Sequence, residues 1–90
     1  MNIINYDSFL ELFTIRIDNE IIVSAKKSPS DNWMVFEYNK DKQIVGIEVL
    51  KFKTYKNWLN HPDRNLIPLT LLESMDSWQQ SALTYAGQPV

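Results

Sequence analysis

The segment 34–50, MVFEYNKDKQIVGIEVL, constrains the fold of this chain more than any other stretch. Two runs rich in β-branched and aromatic residues flank Asn39-Lys40-Asp41-Lys42, and the pattern reads as a β-hairpin. The four central residues suit a type I turn followed by a left-handed residue in a bulge. That last position favours glycine, and Lys42 there costs roughly 1 kcal/mol. With this loop, Trp33, Val35 and Glu37 are expected to share a face with Val45, Ile47 and Val49. Met34, Phe36 and Tyr38 then share the other face with Ile44, Gly46, Glu48 and Leu50. Both faces are apolar. One can lie against a core, and the N-terminal segment, a second copy or a partner must cover the other.

Upstream, LELFTIRI alternates, with Phe13, Ile15 and Ile17 on one side and Leu12, Thr14 and Arg16 on the other. IIVSA follows Asp18-Asn19-Glu20. A three-residue loop puts Ile21, Val23 and Ala25 beside the Phe13 face, whereas a two-residue loop would put Glu20 and Ser24 there. A one-residue slip reverses every side chain, so the hydrophobic pattern selects the three-residue loop. KKSPSDN, with Pro29, reads as a connecting loop. After the second hairpin, TYKNWLN offers a helical turn or two near 54–60, and Pro62 ends it. A longer helix is predicted near 70–86. Thr70 and Glu73 form a capping-box pattern, Leu71, Met75, Trp78, Ala82 and Tyr85 recur at helical spacing, and Gly87 and Pro89 mark the stop. The expectation is an α+β fold: a four-stranded antiparallel meander of two hairpins within residues 9–50, backed by one or two C-terminal helices.

At 90 residues the chain is a single domain, 1–90, and it buries only ~60–65% of its unfolded surface. A hydrophobic content of 44% excludes a disordered chain. No cysteine is present, so disulfides and thiolate chemistry are excluded. No basic stretch precedes an apolar run in MNIINYDSFLELF, and no apolar run approaches ~18 residues, so the reading is a cytoplasmic protein without a membrane span. The net charge of −2 argues against nucleic acid as the default partner.

Residues 6–17, YDSFLELFTIRI, and 34–50 resemble the two signature segments of a small bacterial family of uncharacterised proteins. That family's segments read Tyr-Asp-x-x-x-Asp-x-Leu-Tyr-Ile and Asp-Tyr-Asp-x-x-Gly-x-Ile-Val-Gly-Ile-Glu-Ile-Leu. Here Tyr6, Asp7 and Ile15 match in the first, with Glu11 in place of Asp. Glu37-Tyr38-Asn39 and the run from Ile44 to Leu50 align with the second, with Lys42 in place of Gly. The resemblance covers about half the chain. It implies a compact β-hairpin domain with a helical tail and no established activity. Some members are encoded beside small toxin-like proteins, which by analogy implies an antitoxin or accessory role.

The candidates for chemistry are Asp7, Glu11, Glu37, Asp41, Glu48 and His61. His61 stands alone in a loop, which suits a surface or capping role. Glu48, in a strand between apolar neighbours, needs a partner or a raised pKa, and a salt link to a Lys or Arg or an exposed sheet edge would answer that; a Glu11–Glu48 pair would be the arrangement for acid–base work. No nucleophile–base pair or metal-ligand spacing is present, and with only Gly46 and Gly87 there is no glycine-rich phosphate loop. The sequence therefore points away from an enzyme, with no catalytic residue, cofactor or metal assigned. Gly46 is expected to lie under the Phe36 ring.

The leading expectation is a small protein–protein interaction module, homodimeric or an antitoxin-like partner of another small protein. Its surface is expected at Met34, Phe36, Tyr38, Gly46, Glu48 and Leu50, on the sheet face that helices leave open. The alternative is a nucleic-acid-binding regulator using Lys51, Lys53 and Lys56 for phosphates and Tyr55 and Trp58 for base stacking.

Overall fold

A computed structural model describes residues 1–86, with side chains through residue 83. The expected helix stop at Gly87 and Pro89 and the Tyr85 side chain lie outside the described residues. Five strands form: β1 (Asn2–Asp7), β2 (Leu12–Ile17), β3 (Ser24–Ser28), β4 (Asp31–Tyr38) and β5 (Ile44–Leu50). They make one antiparallel sheet in the order β1-β2-β5-β4-β3, and a single α-helix, α1 (Leu69–Ala86), follows. The class is α+β as expected, but the sheet has five strands and is not a meander.

The extra strand is β1, which pairs with β2 through a turn held by Asp7, whose Oδ1 accepts the N–H groups of Phe9 (2.9 Å) and Leu10 (3.0 Å). The expected first hairpin does not form. β2 pairs with β5 instead, and the chain crosses the sheet end to start β3 on the far edge, giving a Greek key. Ile21 and Val23, assigned to the core by the hairpin reading, are exposed. Most of KKSPSDN is strand: Lys26, Lys27 and Ser28 belong to β3, and Asp31 begins β4.

The turn of the β4–β5 hairpin has the expected geometry. The Lys42 N–H donates to the Asn39 carbonyl (3.0 Å), and Lys42 has φ 61°. Asn39 Oδ1 adds bonds from the Asp41 and Gln43 N–H groups. One residue later the register shifts: Tyr38 faces Ile44, but Glu37 faces Gly46, which leaves Val45 unpaired as a bulge. That single residue reverses β5 relative to the expected faces. Met34 and Phe36 now share a face with Ile47 and Val49, joined across β2 by Phe13 and Ile15. Met34, Phe36, Ile47 and Val49 are thereby gathered on one face, while Trp33, Val35 and Leu50 stay on the other.

That face is closed by the C-terminal third of the chain. Where one helical stretch near 54–60 was expected, there are three 3₁₀ turns at Phe52–Thr54, Trp58–Asn60 and Arg64–Leu66. The first two follow left-handed residues, Lys51 and Asn57, which bend the chain so that Phe52 and Trp58 drop into the core. Leu71 and Met75 of α1 are fully buried against the same cluster, and Trp78 packs on Phe13 with ring centroids 4.7 Å apart. The Thr70–Glu73 capping box is absent. α1 starts at Leu69, so Thr70 already lies inside it, and the Pro68 carbonyl receives the Leu71 and Leu72 N–H groups. Asn2 Nδ2 donates to the Thr70 carbonyl and to Ser74 Oγ, and the Gln79 amide to the Phe52 and Tyr55 carbonyls, so β1 and the first 3₁₀ turn are both tied to α1. Among the described residues no helix is long and apolar enough to cross a membrane.

Candidate interaction surface

With α1 and the 3₁₀ turns on one side, the opposite side of the sheet is open. Its side chains stand in rows fixed by the strand register. At one end Arg16, Gly46 and Glu37 lie side by side across β2, β5 and β4. The next row is Thr14, Glu48 and Val35, and beyond it Leu12 faces Leu50, with Trp33 beside them on β4. Trp33 is 48% and Leu50 43% exposed, and the β1–β2 turn adds the exposed Phe9 and Leu10. The open face is therefore ionic at one end and apolar at the other.

The ionic end is a fork. Arg16 Nε donates to Glu37 Oε1 and Arg16 Nη2 to Glu37 Oε2, both at 2.9 Å, and Glu48 Oε1 is 3.5 Å from the same Nη2. The hydrogen bond to Glu37, with Coulombic support from both carboxylates, holds the Arg16 guanidinium above its already high ordinary pKa. Glu37 is only 6% exposed, so its charge is satisfied by a bidentate partner rather than by water. Gly46 is buried beneath this pair, not beneath Phe36: a Cβ there would stand 2.3 Å from Glu37 Oε1 and 3.1 Å from Arg16 Cγ.

The expected surface of Met34, Phe36, Tyr38, Gly46, Glu48 and Leu50 is thus split between the two faces. Met34 and Phe36 are core residues, and Tyr38 packs at the core margin. Gly46, Glu48 and Leu50 belong to the open face, with Gly46 covered and Glu48 paired to Arg16. The residue pattern missed Trp33 and Leu12 as surface neighbours because it lacked the Val45 bulge.

The 51–58 segment divides likewise. Trp58 is 2% exposed, its Nε1 donating to Asp76 Oδ1 at 2.6 Å, so its faces are closed to base stacking. Tyr55 is half-buried with its hydroxyl bonded to Asp31. Lys51 and Lys56 are exposed, and Lys53 half-exposed. Lys51 Nζ lies 5.1 Å from the centroid of the Trp33 ring. Asp31, Trp33, Lys51, Thr54, Tyr55 and Lys56 line a groove of about 400 Å³ at this corner.

His61 is buried in a polar cluster that the sequence did not reveal. The Asp63 N–H donates to Nδ1 (3.0 Å), which leaves Nε2 to carry the proton it gives to Asp31 Oδ2 (3.0 Å). Both ring nitrogens are occupied, and the ring packs on Tyr55 and Trp58. Burial raises the Asp31 carboxyl pKa, but bonds from Tyr55, the Trp33 N–H and His61 outweigh it and hold it below the ordinary value. Asp63 is lowered in the same way, burial being outweighed by the Ser30 N–H and hydroxyl. Burial and the bond to Asp31 push the Tyr55 phenol up. These groups clamp the β3–β4 turn to the 3₁₀ region.

Of the other acidic candidates, Asp7 and Glu48 have local partners for their side chains. Asp7 holds the β1–β2 turn, and Glu11 ends it in a left-handed conformation with φ 55°. Asp41 is exposed at the hairpin tip, and Glu48 is turned to Arg16 rather than Glu11. Among the described residues no group of three or more His, Cys, Asp or Glu is placed to hold a metal ion. Compared with known proteins, the chain matches no family model, no curated protein and no solved structure.

Proposed function

We propose that this chain is a small protein–protein interaction module that docks a partner on the open face of its sheet, at the row formed by Leu12, Leu50 and Trp33. The observation that carries this reading is the pairing of a sealed core face with an uncovered face whose apolar end includes a half-exposed tryptophan. Aromatic side chains set among apolar neighbours are the usual anchors of interfaces, and a contiguous apolar patch is costly to leave in water. The Arg16–Glu37–Glu48 fork at the other end supplies a polar rim that sets orientation. An accessory or antitoxin-like role beside another small protein fits this chemistry. The test is co-expression with the products of neighbouring genes and co-purification of wild type, Leu50→Glu and Trp33→Ala. Both side chains lie outside the core, so the variants should fold while losing the partner. Identical behaviour of all three proteins would sink the reading.

The groove beside Lys51 and Lys56 favours a second reading, binding of a nucleic-acid strand with Trp33 as the stacking platform in place of Trp58. Affinity that falls steeply with salt and is lost in Lys51→Glu/Lys56→Glu supports it; salt-independent or undetectable binding removes it.

A further inference from the structure

The two edges of the sheet are unlike. β3 presents Lys26 and Lys27 and runs into Pro29. Charged residues and proline are the usual means by which an edge strand avoids pairing with another chain. β1 has no proline, and its one charged side chain is Asp7 at its far end; the side chains of residues 1–6, MNIINY, are all uncharged. Among the described residues no strand pairs with its outer side.

The hydrogen-bond parity of β1 follows from its register. The Asp18 N–H donates to the Met1 carbonyl at 2.9 Å, so Met1 and Asp18 lie at a bonded position of the β1–β2 ladder. Bonded positions alternate along an antiparallel pair, so Ile3, Asn5 and Asp7 also direct their backbone groups at Arg16, Thr14 and Leu12. The Lys51 N–H bond to the Glu11 carbonyl (2.7 Å) sets the opposite parity on the β5 side of β2, which agrees. The amides and carbonyls of Asn2, Ile4 and Tyr6 therefore point away from the sheet.

We infer that β1 pairs antiparallel with β1 of a second copy, with the two-fold axis at Ile4. In this register Ile4 faces Ile4 of the second copy and Asn2 faces its Tyr6, so every outward amide and carbonyl of these residues finds a partner. The pattern is self-complementary, as a two-fold interface requires. Space for the approach exists on the helix side. Ser74, Ser77 and Ser81 present small side chains of α1 next to Ile4 and Trp78, along a groove of about 440 Å³ that Glu73 also lines. On the open face Ile3, 47% exposed, comes opposite Asn5 of the second copy and gains cover. The result is one continuous sheet carrying two copies of the Leu12–Leu50–Trp33 row. This deepens the interaction reading by naming one partner, and its failure is separable from failure at the open face.

Sedimentation of the full chain over a range of concentrations, with circular dichroism as the folding control, tests it. Wild type should dimerise, and Leu50→Glu should dimerise equally. Ile3→Lys/Asn5→Lys places like charges directly opposite each other twice and should weaken the dimer by roughly tenfold or more. Ile3→Lys/Asn5→Glu restores opposite charges at the same pairs and should recover it. Amide exchange of wild type should show Asn2, Ile4 and Tyr6 gaining protection as concentration rises. A wild type that stays monomeric overturns the proposal. So does a dimer indifferent to both charge variants, or one abolished by Leu50→Glu, which would place the contact on the open face; pairing of β1 with a foreign strand alone overturns it too.

Discussion

Arg16 and Glu37 meet across Gly46. The three residues occupy one row of three adjacent strands, and the missing side chain in the middle lets the guanidinium and carboxylate close at 2.9 Å on both prongs. Glycine here is a matter of space above the strand, since a Cβ would fall 2.3 Å from Glu37 Oε1. Gly46→Ala should therefore cost about 1–3 kcal/mol, because Glu37 must move and lose its partner while staying buried. Removing the obstructing side chain relieves the conflict, so Glu37→Ala/Gly46→Ala should be less destabilised than the sum of its single variants. Denaturant midpoints of the four proteins decide it; strict additivity would place the constraint elsewhere.

Lys42 offers the opposite sign. Its φ of 61° is the left-handed conformation that non-glycine residues adopt at a cost, and the turn fixes it through the bond to Asn39. Lys42→Gly should raise stability by up to about 1 kcal/mol, reduced by the extra freedom glycine gives the unfolded chain. A fall in denaturant midpoint would contradict the assigned turn.

Trp78 joins the helix to the sheet. Its ring lies 4.7 Å from Phe13, 5.1 Å from Tyr6 and 5.8 Å from Phe52, centroid to centroid. It is half-buried, so Trp78→Ala should cost about 3 kcal/mol, the low end for a core aromatic. Melting followed by circular dichroism measures this without relying on the lost fluorophore, and an unchanged melt would detach α1 from the core.

What the sequence disclosed followed from local chemistry. The turn at Asn39–Lys42, the inward stripe of Phe13, Ile15 and Ile17, and the helical spacing of Leu71, Met75 and Trp78 all depend on neighbours within a few residues. The errors were of longer range. A strand bulge has no fixed residue signature, and Val45 resembles its neighbours, yet it moved Met34 and Phe36 from the expected surface into the core. Strands adjacent in sequence usually pair, which made the Greek-key crossing from β2 to β3 invisible, and the exposed Ile21 and Val23 mimicked an amphipathic strand. The Asp31–His61–Tyr55 cluster joins residues up to 30 positions apart, so no short spacing could have signalled it.

The acid limb of stability should report the carboxylates that grip the 3₁₀ region. Arg64 hydrogen-bonds both oxygens of Asp76 at 2.8 Å, and this, with the Trp58 indole, holds the Asp76 carboxyl below its ordinary value of 3.8. Asp31 and Asp63 are lowered as well. With native pKa values below the unfolded ones, the unfolded state binds more protons in acid. The stabilisation is complete above the unfolded value and disappears as pH falls through the native ones, so denaturant midpoints should decline from about pH 5 downwards. Asp76→Asn removes one of these groups. It should be less stable than wild type near neutrality, and its acid decline should be shallower, so that the two curves converge at low pH. Parallel curves with a constant offset would mean that Asp76 contributes through shape alone and that its charge does not hold Arg64.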